Sequence, residues 1–322
     1  MTLPPAGSQK QGLFSREDYL APPAIPTGQP PRDVLNTIWR KNEVFLDIGE
    51  YSIGSAVMMV WPIMLLFVLL TPISIPTPEE SDGVHLAYWF LFFCFFAFPL
   101  LMLLYSLTKP VPPPTRFNRQ RREVCVPQKD GSYWIVPWET VVAQAIAMDS
   151  VGRHGKTTQG MLVVGFKNPD PNAKEGERDC SMGFSCGGGT TAMRLWECMR
   201  SYMEIGPEAV PLENDLEGTR KLLGGRGAIW GSIWMFYAGI KKHLLAKEFG
   251  KALWLIFTIV AFGTPLAAML QTWKLAPPPD LTDPAIVEWS APLPPEQWAK
   301  RSPEWDEAIR QREAELAGEA AT

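Results

Sequence analysis

The sequence predicts a membrane protein with α-helical spans and one small α+β cytoplasmic domain, an antiparallel sheet followed by a C-terminal helix. Three observations carry this. Residues 53–75 and 86–107 are uncharged and apolar on every face, and each is long enough to cross a ~30 Å hydrocarbon core, which takes roughly 20 residues. Residues 110–185 carry instead short alternating or β-branched runs divided by turn signals, and a helical pattern follows. Arginines and lysines collect beside one end of the spans and are missing from the loop between them.

Whole-chain averages hide this organisation. A mean hydropathy near zero, 20% charged residues and a net charge of −4 describe an ordinary soluble protein of 322 residues. The apolar blocks are diluted by polar stretches that hold most of the 31 prolines, and several of the 13 tryptophans sit near the ends of the blocks, as at a membrane interface. Mild acidity gives no electrostatic case for nucleic acid. Cys94 lies inside an apolar block, and Cys125, Cys180, Cys186 and Cys198 lack CxxC spacing. They read as reduced thiols, neither a disulfide framework nor a zinc site. Residues 1–30 lack a signal-peptide pattern, so insertion falls to the first span.

Residues 1–32, rich in Pro, Gly, Ser and Gln, are expected to be disordered. Residues 33–108 begin with an amphipathic helix over 33–50, with Val34, Leu35, Ile38, Val44, Phe45 and Ile48 as its apolar positions, and continue as a transmembrane hairpin. Pro62 and Pro72 should kink the first span, which packed neighbours tolerate. The loop between the spans holds Glu79, Glu80 and Asp82 without Lys or Arg. Beyond the other ends lie Arg32, Arg40 and Lys41, then Lys109, Arg116, Arg119, Arg121 and Arg122. Positive residues beside spans stay in the cytoplasm. The N-terminus and the middle of the chain are therefore expected there, with the acidic loop in the periplasm.

Residues 109–225 form the expected domain, set off by the proline-rich stretch 110–114. Strands are expected at 122–127, 132–136, 140–148, 160–166 and 180–185. Gly187, Gly188 and Gly189 end the last, and Thr190 or Thr191 then caps a helix closed by Gly206-Pro207. Five strands and one helix suit a strongly bent antiparallel sheet with the helix over one end. Residues 226–273 hold a short apolar stretch (228–240), a cluster of Lys241, Lys242, Lys247 and Lys251, and a third span over 252–273. The short stretch is below spanning length, and crossing there would carry the lysines outward, so it is expected to be interfacial or re-entrant. That gives three spans with a proline-rich tail, 274–322, in the periplasm. Four spans with a cytoplasmic tail are the alternative. The tail ends in a polar helix, with Ser302 as cap, Pro303 in the first turn and Glu304, Asp306 and Glu307 at its positive end.

Residues that invite a chemical reading are better explained structurally. The stretch 150–157, SVGRHGKT, has Ser150 where a phosphate-binding loop needs glycine, and a strand pattern follows instead of a helix. A hairpin turn explains it. Gly187, Gly188 and Gly189 before a helix could present amides to an anion, but a tight strand-to-helix turn needs the same residues. His85, His154 and His243 lie in separate segments, so no metal site is expected, and no cofactor. Neither GxSxG nor HExxH occurs, and the spans hold no ionisable residue, so neither an enzyme nor a transporter is expected. The cluster Arg116, Arg119, Arg121 and Arg122 leaves two readings open. It could contact anionic lipid headgroups, at about 1 kcal/mol per basic residue, or only set the topology.

Two spans followed by PPPTRFNRQRREVCV and SYWIVPWETVVAQ resemble a family of uncharacterised bacterial inner-membrane proteins with RFNRxRREV and PWE signatures. Here these are Arg116-Phe117-Asn118-Arg119, Arg121-Arg122-Glu123-Val124 and Pro137-Trp138-Glu139. The resemblance covers residues 45–275 and brings no catalytic residues. It implies a place beside type VI secretion and polymorphic-toxin genes, hence an immunity protein or accessory factor with a toxin or effector as protein partner. The strand order also resembles membrane-tethered pleckstrin-homology-like domains, which implies instead a scaffold or sensor that binds lipid or protein.

Overall fold

The computed structural model describes residues 8–12, 15–20, 25–34, 37–49, 51–152, 155–187, 190–211, 227–275 and 277–321. They form two compact units. One gathers three separate pieces of chain, Met1–Glu50, Pro113–Asn214 and Asp280–Thr322; the other holds Tyr51–Pro112 and Asp215–Pro279.

The first unit is built on two antiparallel five-stranded sheets. Strands β1 (Gln9–Gln11), β2 (Ser15–Tyr19), β8 (Val142–Gly152), β9 (Gly155–Lys167) and β10 (Asp179–Cys186) form one sheet in that order. The other runs in chain order through β3 (Ile38–Lys41), β4 (Phe45–Ile48), β5 (Thr115–Asn118), β6 (Glu123–Pro127) and β7 (Tyr133–Pro137). The amphipathic helix α4 (Thr191–Glu204) packs against both sheets and sets Leu195, Trp196, Met199 and Tyr202, each fully buried, into the core. Opposite them stand Phe117, Val124, Trp138, Leu162 and Val164. Alternation explains the sheet contribution, because period-2 side chains put every second residue on one face. Gly206, at φ 143°, ends the helix region in a conformation that L side chains avoid, as the Gly-Pro signal predicts.

Two expectations fail here. Residues 1–32 are not disordered throughout. The described part supplies β1 and β2, Leu20 joins the core, and Thr27 bonds the buried Glu197 through both its N–H and its hydroxyl. Residues 33–50 are not an amphipathic helix but the hairpin β3–β4. Asn42 makes its turn, its side-chain oxygen accepting from the amides of Val44 and Phe45 at 2.8 Å. Strand β4 then pairs in register with β5, Phe45 opposite Asn118 and Ile48 opposite Thr115. The apolar spacing fits either conformation, and this long-range pairing decides. Strand β5 itself was missing from the expected set.

The second unit is helical. Helix α1 (Ile53–Ser74) has 22 residues, about 33 Å at 1.5 Å per residue. Helices α2 (Asp82–Phe92) and α3 (Phe98–Thr108) are continuous through a π-helical turn at Phe93–Ala97. Pro99 has no N–H to give the preceding turn, which accounts for the irregularity. Ile53–Thr71 and Asp82–Thr108 are long and apolar enough to cross a membrane. Leu69, Phe90 and Trp254 are among many large apolar side chains facing outward.

Helix α5 (Gly227–Leu245) packs on α6 (Phe249–Phe262) and α7 (Thr264–Leu275). The span expected over 252–273 is not one straight helix, since α6 and α7 are bent by 70°. Gly263 sits between them at φ 60°, the left-handed C-terminal stop, and Pro265 lies in the first turn of α7. Gln271 accepts from the Gly54 amide and donates to the Tyr51 carbonyl, while Lys274 bonds the Lys109 carbonyl. The start of α1, the end of α3 and the end of α7 thus lie together.

The tail forms α8 (Pro284–Trp289) and α9 (Pro303–Ala321), with Ser302 accepting from the Trp305 amide as its expected cap. Residues from 280 onward pack in the same unit as 113–214. By length and composition two helices could cross a membrane, or up to three if the bent pair α6–α7 is one span.

Candidate functional site

The residues that most define this surface are 116–123, at the end of β5, through a tight turn, to the start of β6. On β6, Val124 and Val126 point into the main core and Cys125 points away. On β7, Val136 joins the main core, while Tyr133 and Ile135 accompany Cys125 on the outer face. That face is covered by Leu281, Ile286 and Trp289 of the tail, which form with Cys125 a hydrophobic cluster separate from the main core.

One end of the covered strip is a cationic node. Arg116 is 3% exposed. It grips Asp47 through Nε and Nη2 at 2.6 and 2.8 Å, and reaches Asp280 at 2.8 Å and the Ser290 hydroxyl at 2.9 Å. Its guanidinium lies over the Phe45 ring at 3.7 Å. Arg40 joins Asp47 and Asp280 at 3.4 and 3.1 Å. Burial works against the charge on Arg116, but the hydrogen bonds and charges of Asp47 and Asp280 outweigh it and raise its pKa further.

The middle is held through the backbone of the tail. The Trp289 carbonyl accepts from Asn118 at 3.1 Å and Arg121 at 2.8 Å, and its indole N–H donates to Glu123 at 2.6 Å. Gln120 accepts from the amide of Leu293 through its side chain and from that of Ala299 through its carbonyl. Arg119 donates to the Ile205 carbonyl and lies 5.4 Å over Trp298.

The other end is an anionic node. Glu204 accepts from Arg122 at 2.8 and 3.1 Å, from the Trp138 indole at 2.8 Å and from Arg301 at 3.1 Å. Arg122 also donates to Glu139 at 2.5 Å. It adopts φ 53°, a left-handed conformation costly for a side chain this size, and these bonds over-determine it.

Each arginine of the cluster read for lipid contact or for topology has partners within the protein. Arg116 and Arg122 are buried and spend their donors on carboxylates, and Arg119 and Arg121 bond backbone carbonyls. Of the three signature residues, Pro137 is exposed, Glu139 is half-buried against Arg122, and Trp138 lies in the core. Trp138 is fully buried, stacked on Trp196 and edge-on to Phe117.

The stretch resembling a phosphate loop lies in the β8–β9 hairpin, with Ser150 opposite Thr157 and Gly152 opposite Gly155; Arg153 and His154 are outside the described residues. Gly188 and Gly189 are outside them too. Among the described residues no group of three or more His, Cys, Asp or Glu side chains is placed to hold a metal. All five cysteines are free, and burial pushes the Cys125 thiol up to about 12.

Asp47, Glu204, Asp280, Trp289 and Arg301 escaped the sequence reading. The one local signal was Asp283-Pro284, a helix cap followed by proline, whose carboxylate accepts from the amides of Ala285 and Ile286. No family model, curated protein or solved structure matches the chain.

Proposed function

We propose that the protein is a non-enzymatic binding protein held at the cytoplasmic face of a bacterial inner membrane, serving as immunity protein or accessory factor for a secreted toxin. The observation that carries this is the way anchor and domain are interleaved. The helical hairpin is inserted between β4 and β5, which are paired neighbours in one sheet. The domain's own strands lead into and out of the anchor. The toxin class follows from the family resemblance alone.

In this reading the three pieces of the soluble unit share the cytoplasm, so the chain crosses the bilayer an even number of times. Residues 51–112 account for two crossings. Residues 215–279 then cross twice or dip in and return, and the bend at Gly263 accommodates a return. The lysines between α5 and α6 favour the second arrangement, because it keeps them on the cytoplasmic side.

The two-sheet meander closed by a helix also supports a second role as a pleckstrin-homology-like scaffold that binds protein. Toxin protection separates the two. A sensitive host would express the effector encoded beside this protein, with and without it. Rescue supports immunity; the same rescue with the spans deleted would rule out action against a membrane-active toxin. No rescue, with the protein present in the membrane, favours the scaffold.

A further inference from the structure

We propose that the outer face of β5–β7 is a groove for a linear protein segment. Residues 280–301 are its resident occupant, and a partner protein binds by putting a segment of the same pattern in their place. This rests on the reading of the protein as a binding module and names the surface it uses.

Charge complementarity identifies the occupant. In the ion pairs seen among the described residues, the cationic node sets Arg40 and Arg116 on Asp47, and the tail supplies Asp280. The anionic node holds two glutamates, Glu139 and Glu204, against Arg122, and the tail supplies Arg301. Between them the exposed strip would be Cys125, Tyr133 and Ile135, matched by Leu281, Ile286 and Trp289. The groove therefore specifies direction as well as composition. It takes an acidic residue first, then apolar side chains ending in an aromatic with an N–H to donate, then an arginine. Bonds to the tail backbone at Trp289, Leu293 and Ala299 need no particular side chain, only an N–H at the last two, so recognition divides into general backbone affinity and side-chain selectivity.

The same segment is separable from the fold. No residue from 280 to 301 belongs to the main core cluster, which closes around α4 without it. Asp280 and Arg301 are 54% and 33% exposed, so both end contacts are open to competition from solvent and partner. Prolines at 277–279 and at 292, 294 and 295 flank α8 and restrict the undocked strap, which lowers the entropy lost on docking.

Cys125 reports the state of the groove, since it is fully buried and its neighbours include the tail residues. The test uses the full chain in lipid nanodiscs with Cys94→Ala and Cys180→Ala, leaving Cys125, Cys186 and Cys198. Asp280→Lys with Arg301→Glu should raise maleimide labelling of Cys125 about tenfold, through local opening, with Cys186 and Cys198 still protected. A synthetic peptide of residues 278–303 should restore protection, and one carrying the two reversals should not. Unchanged labelling of Cys125, joint exposure of all three thiols, or a native peptide without effect would each overturn the proposal. None of these bears on toxin protection, so the groove and the wider functional reading fail separately.

Discussion

The indole of Trp138 donates to Glu204 at 2.8 Å, and Arg122 and Arg301 close on the same carboxylate from two other segments. Trp138 thus does two jobs, filling the core against Trp196 and satisfying a buried acid. The jobs separate by substitution. Trp138→Ala should cost about 3–5 kcal/mol, the range for deleting a large core aromatic. Trp138→Phe keeps most of the ring and loses one hydrogen bond, so it should cost about 1–3 kcal/mol. Denaturant unfolding of the detergent-solubilised protein gives both values, and equal losses would contradict the division.

Arg116 and Asp47 are buried together, and neither tolerates loss of the other. Arg116→Met leaves the Asp47 carboxylate, fully buried, with only the longer Arg40 contact. Breaking a buried pair on one side typically costs about 3–5 kcal/mol, whereas replacing both members by apolar residues is often neutral. Arg116→Met with Asp47→Leu should therefore recover most of the loss in thermal unfolding. A double variant no better than the single would show that the pair contributes through geometry and not through charge balance.

The two long apolar helices were legible because exclusion of charge over 20 residues is a local property, readable without knowing any neighbour. The hairpin at 33–50 was not. Its apolar positions satisfy a helical period, and only pairing with 115–118, across the inserted helices, makes it a strand. The arginines misled for a related reason. Sequence shows four positive charges beside a span but not that Asp47, Glu139 and Glu204 arrive from elsewhere to neutralise two of them. The break at Gly263 was readable in principle, as glycine followed two residues later by proline is a stop and restart signal.

The proposed topology puts the tail in the same compartment as the domain it packs with. Reporters fused after residue 322 and inserted near residue 172, in the β9–β10 connection, should read the same compartment. One inserted in the 77–81 loop should read the opposite compartment. A C-terminal reporter found across the membrane from residue 172 would contradict the assembly of 113–214 with 280–321 in one unit.

Gly263 holds the bend between α6 and α7 for two reasons that substitution can separate. Its φ of 60° strains any L side chain, and a Cβ there would stand 2.7 Å from the Trp61 ring. Gly263→Ala should cost about 1–2 kcal/mol from the backbone alone, with the clash in addition. Trp61→Ala removes the clash but also the indole bond to the Val260 carbonyl at 2.9 Å. The double variant should therefore recover little over Gly263→Ala in thermal unfolding. Full recovery would show that the clash was the whole effect.

Acid should release the tail, and the sign follows from Asp280. Burial opposes its ionisation, but the hydrogen bond from Arg116 and the charge of Arg40 outweigh this and hold the carboxyl below its ordinary value of 3.8. A carboxyl depressed in the docked state stabilises docking fully above the undocked value, and the contribution disappears as pH falls through the lower, docked one. Asp47 on the same arginines moves oppositely, since burial raises its pKa, so its protonation favours the folded state in acid and does not drive release. Docking should thus be constant from neutral pH to about pH 5 and weaken below about pH 4. The amides of Leu293 and Ala299, both bonded to Gln120, report this by hydrogen exchange, after correction for the intrinsic pH dependence of exchange. In Asp280→Asn their protection should be lower at neutral pH and should not fall further in acid. If wild type and variant lose protection in parallel, the acid response originates elsewhere than in the Asp280 latch.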